Sequence, residues 1–348
     1  MANERALSRV SIGAMGVGGK ELTDQARTAE AAGFDCVWTP ELFSNSLTQA
    51  TWVAAQTERI DVGTGIAWAF TRSPFLLAIS ALDIDEMSGG RFRLGLGAGV
   101  KRLNETWHGA EYGRPAPHLR ETIEAVRLIM AKAHTGEPIR FEGEYYDIDI
   151  KGWARPQQPA RESVPIYVAA VREGMSRMAG DVADGLIGHP MCSVRWLDEV
   201  IVPNIELGLR RSGRRREDFD YVPTVCCAID DDEAAAYDAA RRTIAFYATV
   251  RTYMPLWEMH GFGEQAAAVG DAFRSGDLPG MHDSVSDEMV NAYCAAGSLD
   301  KVRARVEEVS ERADGLLIGP PTYFLPPEQL AEYQRRIIEA FAPASAPA

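Results

Sequence analysis

Two kinds of hydrophobic pattern alternate along this chain. Short unbroken apolar runs read as strands buried on both faces. Longer stretches with apolar residues every three or four positions read as amphipathic helices. Arg9–Gly16 reads as a first strand. Glu21–Ala32 follows as a helix with Leu22, Ala26 and Ala29 on one face and Gly33 as its stop. Cys36–Glu41 is the second strand, Leu47–Arg59 the second helix and Ile60–Phe70 the third strand. Ser73–Pro74 opens a third helix, a capping hydroxyl followed by a residue suited to the first helical position. Phe75, Ile79 and Leu82 form its stripe, and Gly89–Gly90 end it. Phe92–Gly97 reads as strand and His118–Lys132 as helix.

Residues 136–163 break this rhythm and read as an insertion. It resumes with strand Pro165–Val171, helix Met175–Ala183, strand Gly185–His189, helix Val194–Arg211 and strand Tyr221–Ile229. A second irregular region, 240–297, contains helical stretches. Helix Ser298–Ser310, strand Gly315–Gly319 and helix Glu328–Phe341 complete the pattern. Eight strands alternating with helices predict a TIM (β/α)8 barrel with insertions, one domain spanning residues 1–348. In such a barrel, chemistry belongs at the C-terminal strand ends. Those are Gly16, Glu41, 67–70, 97–101, 169–173, 189–191, 228–230 and 319–322.

The composition is that of a soluble globular protein, with 46% hydrophobic and 25% charged residues in 348. A net charge of -14 argues against a nucleic-acid partner, which needs clustered Lys and Arg. The one basic run, Arg210–Arg216, reads as a solvated helix end. The five cysteines lack metal spacing, and Cys226–Cys227 read as core residues on opposite faces of a strand. No signal core and no long apolar run is present, so a cytoplasmic location and no membrane partner are expected.

Two motifs fail on inspection. Gly13–Lys20 is not a phosphate loop, because Ala14 stands where the first glycine belongs and Glu21 replaces the Ser or Thr. Gly95, Gly97 and Gly99 are not a dinucleotide fingerprint, because Val100 replaces the third glycine and no helix is expected to start there. No zinc or HExxH spacing occurs, so no metal is expected.

A longer set of segments carries a resemblance. It comprises Ala32–Gly33–Phe34–Asp35–Cys36–Val37–Trp38, Asp61–Val62–Gly63–Thr64–Gly65–Ile66, Arg72–Ser73–Pro74, 82–91 and Leu94–Gly95–Leu96–Gly97. In order and spacing it resembles the luciferase-like monooxygenase superfamily. Pro165–Ala170 and Ala183–Gly185 resemble that superfamily's deazaflavin branch. Thr224–Asp232, Ala245–Phe246 and Glu258–Gly261 are similar to methylenetetrahydromethanopterin reductases.

The resemblance implies coenzyme F420 bound at the C-terminal strand ends, with FMN as the alternative. It implies a non-prolyl cis peptide at Gly65–Ile66, forming a bulge that backs the ring, beside Gly97 and Ala98. It implies phosphate binding at Ala169, Ala170, Val171 and Arg172, where a helix N-terminus suits an anion. Gly188 and His189 would lie near the same phosphate or the polyol chain. It also implies a homodimer packed through the second and third helices.

The chain departs from its relatives at the reacting end. Sugar-phosphate dehydrogenases that use this cofactor carry Asp-His after the second strand, and Glu41–Leu42 stand here. Their Glu after the fourth strand is Val100. The strand-one Glu of the methanopterin reductases is replaced by Gly13 or Ala14. Glu41 is left as a ring-side carboxylate, binding cofactor hydroxyls or donating a proton. His108, on a loop after the fourth strand, is a second candidate donor. Trp38, Trp68 and Phe70 read as pocket wall or core. The expected activity is hydride transfer between the deazaflavin and a small organic substrate. A flavin monooxygenase needing a partner reductase and a non-catalytic barrel are the rival readings.

Overall fold

A computed structural model describes residues 7–14 and 19–343. Its strands are β1 (Val10–Gly13), β2 (Cys36–Thr39), β3 (Asp61–Thr64), β4 (Ala67–Trp68), β5 (Phe92–Gly97), β6 (Ile139–Glu142) and β7 (Asp147–Ile150). They continue as β8 (Ile166–Ala169), β9 (Gly185–Ile187), β10 (Asp220–Val222), β11 (Thr224–Ile229), β12 (Cys294–Gly297) and β13 (Leu316–Gly319). Parallel pairings run from β1 through β2, β3, β5, β8 and β9 to β10. β11 pairs with β13, and β13 returns to β1.

β10 and β11 are one stave interrupted at Pro223, which has no N–H to give the ladder. Its carbonyl still accepts from the Leu317 N–H at 3.0 Å. The ring therefore closes through eight staves, β1, β2, β3, β5, β8, β9, β10–β11 and β13, and the fold is the TIM barrel.

Several segments differ from the sequence expectation. The third strand breaks after Thr64 and ends in a 3-10 turn, Ala69–Thr71, rather than running to Phe70. Helix Lys101–Trp107 begins directly after the glycine-rich end of β5, where a loop was expected. Residues 139–150 form the antiparallel hairpin β6–β7. Its turn is pinned by Glu121, which accepts from the N–H groups of Glu144, Tyr145 and Tyr146 at 2.9, 2.8 and 2.7 Å. Cys294–Gly297, expected to be irregular, extends the sheet as β12 along β11. Gly16 lies outside the described residues.

Local signals explain the helix ends. Ser73 Oγ accepts from the Leu76 N–H at 3.2 Å, Pro74 takes the first helical position, and Gly89 ends the helix at φ 67°. All five cysteines are free and buried. The basic run is a paired helix end: Arg210 reaches Glu206 at 3.4 Å, Arg215 reaches Asp218 at 2.8 Å and Arg216 reaches Asp314 at 2.8 Å. Among the described residues, no helix is long and apolar enough to cross a membrane.

The staves are buried on both sides. Their outer faces pack against the helices, while an inner cluster of Cys36, Trp38, Tyr167, Ile187, Val222 and Leu317 fills the barrel. Below it, at the N-terminal stave ends, Arg93 pairs with Asp35 at 2.9 Å and with Asp61 at 2.5 Å. Arg9 pairs with Asp220 at 2.8 Å, and the Tyr167 hydroxyl donates to the same carboxylate at 2.6 Å.

Candidate functional site

The C-terminal rim is assembled from loops that leave each stave. Thr64 ends β3, and its hydroxyl locks onto β5: it donates to the Gly95 carbonyl at 2.7 Å and accepts from the Gly95 N–H at 2.9 Å. The Gly65–Ile66 peptide bond that follows is cis, and the Gly65 N–H donates to the Thr39 carbonyl at 2.8 Å. Ile66 lies across Gly97 so closely that a Cβ on Gly97 would stand 2.0 Å from Ile66 Cδ1. The same Cβ would be 3.5 Å from the Ala169 methyl group. Gly65, Ile66, Gly97 and Ala169 thus form one small, flat floor. Trp38 sits beneath it, only 1% exposed, so it plugs the barrel rather than walling a pocket.

Beyond β5, Asn104 holds the turn through Ala98. Its Nδ2 donates to the Ala98 carbonyl at 2.9 Å and to the Val100 carbonyl at 3.0 Å. Asn104 was not foreseen, because its helix was not. Glu41 accepts from the Ser46 hydroxyl at 2.7 Å and from Arg72 at 2.9 Å, and both members of the ion pair are mostly buried. With both oxygens accepting, Glu41 braces two loops. His108 caps helix Lys101–Trp107. It is exposed and meets Trp68 edge-on at 5.5 Å.

After β8, residues Ala169, Ala170, Val171 and Arg172 lead into helix Glu173–Val182. The Trp196 indole N–H donates to the Val171 carbonyl at 2.8 Å and fixes this turn. No side chain caps the helix, so its first-turn amides remain available to an anion. Nothing crowds Gly174, and Arg172 is exposed with Glu173 at 3.8 Å.

After β9, the Gly188 N–H bonds to the Val222 carbonyl at 2.8 Å, and its own carbonyl accepts from Thr224 at 2.7 Å. His189 accepts at Nδ1 from the Met191 N–H at 3.2 Å, which puts the ring proton on Nε2. Burial pulls its pKa down to about 3, so the ring is neutral at physiological pH. Tyr247 and Tyr253 flank it with centroids at 4.6 and 4.5 Å. Phe246 stacks on Tyr323 at 3.5 Å to extend the wall. These aromatics come from the second irregular region and the loop after the last strand. A cluster of tyrosines in otherwise unpatterned segments was their only sequence signal. Among the described residues, no group of potential ligands could hold a metal ion.

The family model for luciferase-like monooxygenases matches residues 6–316. A 5,10-methylenetetrahydromethanopterin reductase of Archaeoglobus fulgidus is 32% identical over 84% of this chain and 86% of its own. A putative coenzyme F420-dependent oxidoreductase of Mycobacterium tuberculosis is 29% identical over 80% of this chain and 84% of its own. The structure of the coenzyme F420 dependent tetrahydromethanopterin reductase from Methanopyrus kandleri superposes with a TM-score of 0.78 at 23% identity. It covers 97% of both chains.

Proposed function

The chain belongs to the luciferase-like monooxygenase family and is an oxidoreductase, and we propose that within it the protein is an F420-dependent enzyme acting on a small organic substrate. The observation that carries this reading is the rim itself: a flat small-residue floor beside an uncapped helix N-terminus. The two halves fit the two halves of a deazaflavin cofactor. Gly65, Ile66, Gly97 and Ala98 would support the ring. The amides of Glu173, Gly174 and Met175, with Arg172, would hold the anionic tail. The F420-dependent relative in M. tuberculosis supports the same choice of cofactor.

When bound, the deazaflavin supplies a hydride-carrying ring. The chain's own part is positioning and exclusion of water. Thr64 holds the floor rigid by bridging β3 to β5. Trp196 fixes the turn ahead of the anion-binding amides. Glu41 braces the loop after β2 through Arg72. Of the two proton-donor candidates, His108 keeps an open ring at the rim, while Glu41 is engaged at both oxygens. Transfer is expected without oxygen activation.

Titrating the purified protein with F420 and separately with FMN tests the reading. Saturable F420 binding with no FMN binding is expected. Tight FMN binding with none for F420 would overturn it in favour of the flavin monooxygenase. Binding of neither would favour a non-catalytic barrel.

A further inference from the structure

His189, after β9, and the rings around it form an aromatic wall. Phe246 and Tyr247 lie near the end of helix Glu233–Ala248, Tyr253 ends the turn Arg251–Tyr253, and Tyr323 lies in the loop after β13. Tyr247 meets Tyr253 at 5.8 Å and Tyr323 at 5.4 Å. Phe246, Tyr247, Tyr253, Tyr323 and His189 are all half-buried residues. His189 Nε2 has no hydrogen-bond partner among the described residues, yet it is not among the sealed, unpartnered polar atoms. Its proton is therefore left without a protein acceptor and is not fully sealed off.

The rings and His189 themselves carry no formal charge. Burial keeps Tyr247, Tyr253 and Tyr323 protonated and His189 neutral. None of the cation–ring contacts falls on them. The adjacent Arg242 is committed to Asp238 at 2.9 Å and to the Phe324 carbonyl at 3.1 Å. A charged ligand group packed against these rings would lose its water without gaining an ionic partner from them. Ring faces and edges favour a planar ligand by offset or edge contact. An unfilled neutral donor favours a ligand acceptor.

Resting on the F420 reading, we infer that this tyrosine-lined wall seats the substrate, and that the substrate is a flat, uncharged molecule presenting a carbonyl-type acceptor to His189 Nε2. This assigns His189 to the substrate rather than to the cofactor phosphate, for which the Glu173, Gly174 and Met175 amides and Arg172 already supply donors. Tyr247, Tyr253 and Tyr323 act as specificity residues, selecting planarity and absence of charge.

The test uses the full-length protein loaded with F420 and three probes. These are 2-acetonaphthone, its carboxylate counterpart 2-naphthoate, and the non-planar cyclohexyl methyl ketone. Equilibrium dialysis is expected to rank 2-acetonaphthone first, with each of the others at least tenfold weaker. His189→Leu and Tyr247→Leu should each weaken 2-acetonaphthone at least tenfold. His189→Gln, which keeps a neutral donor near Nε2, should stay within about threefold of wild type. The F420 affinity of His189→Leu should stay within about twofold of wild type. Naphthoate binding as tightly as the ketone, or a His189→Leu effect that falls on F420 instead of the probe, overturns the inference. If the protein binds no F420, the cofactor reading fails by itself, and the probe ranking on the unloaded protein still judges the wall. Should either leucine variant misfold, the wild-type ranking decides.

Discussion

At the N-terminal ends of the staves, charged groups meet charged groups. Arg93 lies between Asp35 and Asp61, Arg9 reaches Asp220, and Arg161 reaches Asp85 at 2.6 Å. At the C-terminal ends, open backbone amides, small residues and a neutral aromatic wall face the mouth. The same eight staves thus finish in a locked end and an open end. Charges satisfied within the fold have nothing left for a ligand, whereas donors left free have contributed little to folding. The barrel separates stability from chemistry along its axis.

The largest effect is expected at the locked end. Arg93→Leu leaves Asp35 and Asp61 without their common partner in a mostly buried setting. Removing one side of such a buried network costs about 3–5 kcal/mol, read as a lower urea midpoint. The F420 affinity of the folded fraction should not change. A variant of full stability with weakened F420 binding would break the comparison.

Gly97→Ala asks the opposite question of the open end. The new Cβ would crowd the Ile66 side chain, 2.0 Å from Cδ1 and 3.2 Å from Cγ1, and that side chain can turn, so the stability cost is about 1 kcal/mol. The turned Ile66 would rise from the floor. A tenfold loss of F420 affinity, about 1.4 kcal/mol, is expected in a fluorescence titration with little change in melting temperature. Gly95→Ala makes the contrast. Its Cβ would stand 1.8 Å from the Thr64 carbonyl oxygen, which is backbone and cannot swing aside, so that variant should lose stability first.

The two ends also answer to different pH windows. Burial raises the cost of charging His189, so its folded pKa of about 3 lies below the usual value near 6.5. A group depressed in this way contributes fully above 6.5, and the contribution is lost as pH falls from 6.5 towards 3. The unfolded chain takes up the proton first. Burial pushes Asp220 up, but Arg9 and Tyr167 outweigh it and hold the carboxylate below its usual range. Its contribution persists above about 4 and disappears only in stronger acid. Wild type should therefore lose up to about 1 kcal/mol per pH unit below 6 from His189 alone. Melting curves of His189→Gln should be flatter between pH 6.5 and 4.5, with the acid collapse below 4 retained. An unchanged slope would show that His189 is already charged in the fold.

How much of this was legible depended on how local the signal was. The eight staves are runs such as Val10–Ile12 and Thr224–Ile229, whose burial on both faces is written into consecutive apolar residues. The β12 segment Cys-Ala-Ala-Gly carries small residues without β-branched or aromatic character, and it passed for irregular chain. Helix Lys101–Trp107 is largely polar and has no side-chain cap, so neither periodicity nor a start signal announced it. The floor residues were reachable because the family resemblance lies in the strand ends themselves. The pairing of Glu41 with Arg72 joins two loops, and the aromatic wall joins β9 to residues more than fifty positions onward. Only the closed ring brings such groups together, and no window along the chain contains them.

The mildest test falls on the turn after β8, where the open end borrows a rigid element. The Trp196 indole is buried against the barrel and donates one hydrogen bond, to the Val171 carbonyl. Trp196→Phe keeps most of the apolar volume and deletes that donor. The net worth of such a bond is about 0.5–1.5 kcal/mol. If the bond served folding alone, the whole loss would register in the urea midpoint and F420 affinity would hold. If it sets the angle at which the Glu173–Met175 amides meet an anion, F420 should bind about three- to fivefold more weakly at nearly constant stability. Arg172→Gln should weaken F420 by a comparable factor that shrinks with added salt, because an exposed charge is screened while a backbone angle is not. A Trp196→Phe loss that vanished at high salt would place its effect on charge rather than on geometry, and would remove this turn from the open end's rigid frame.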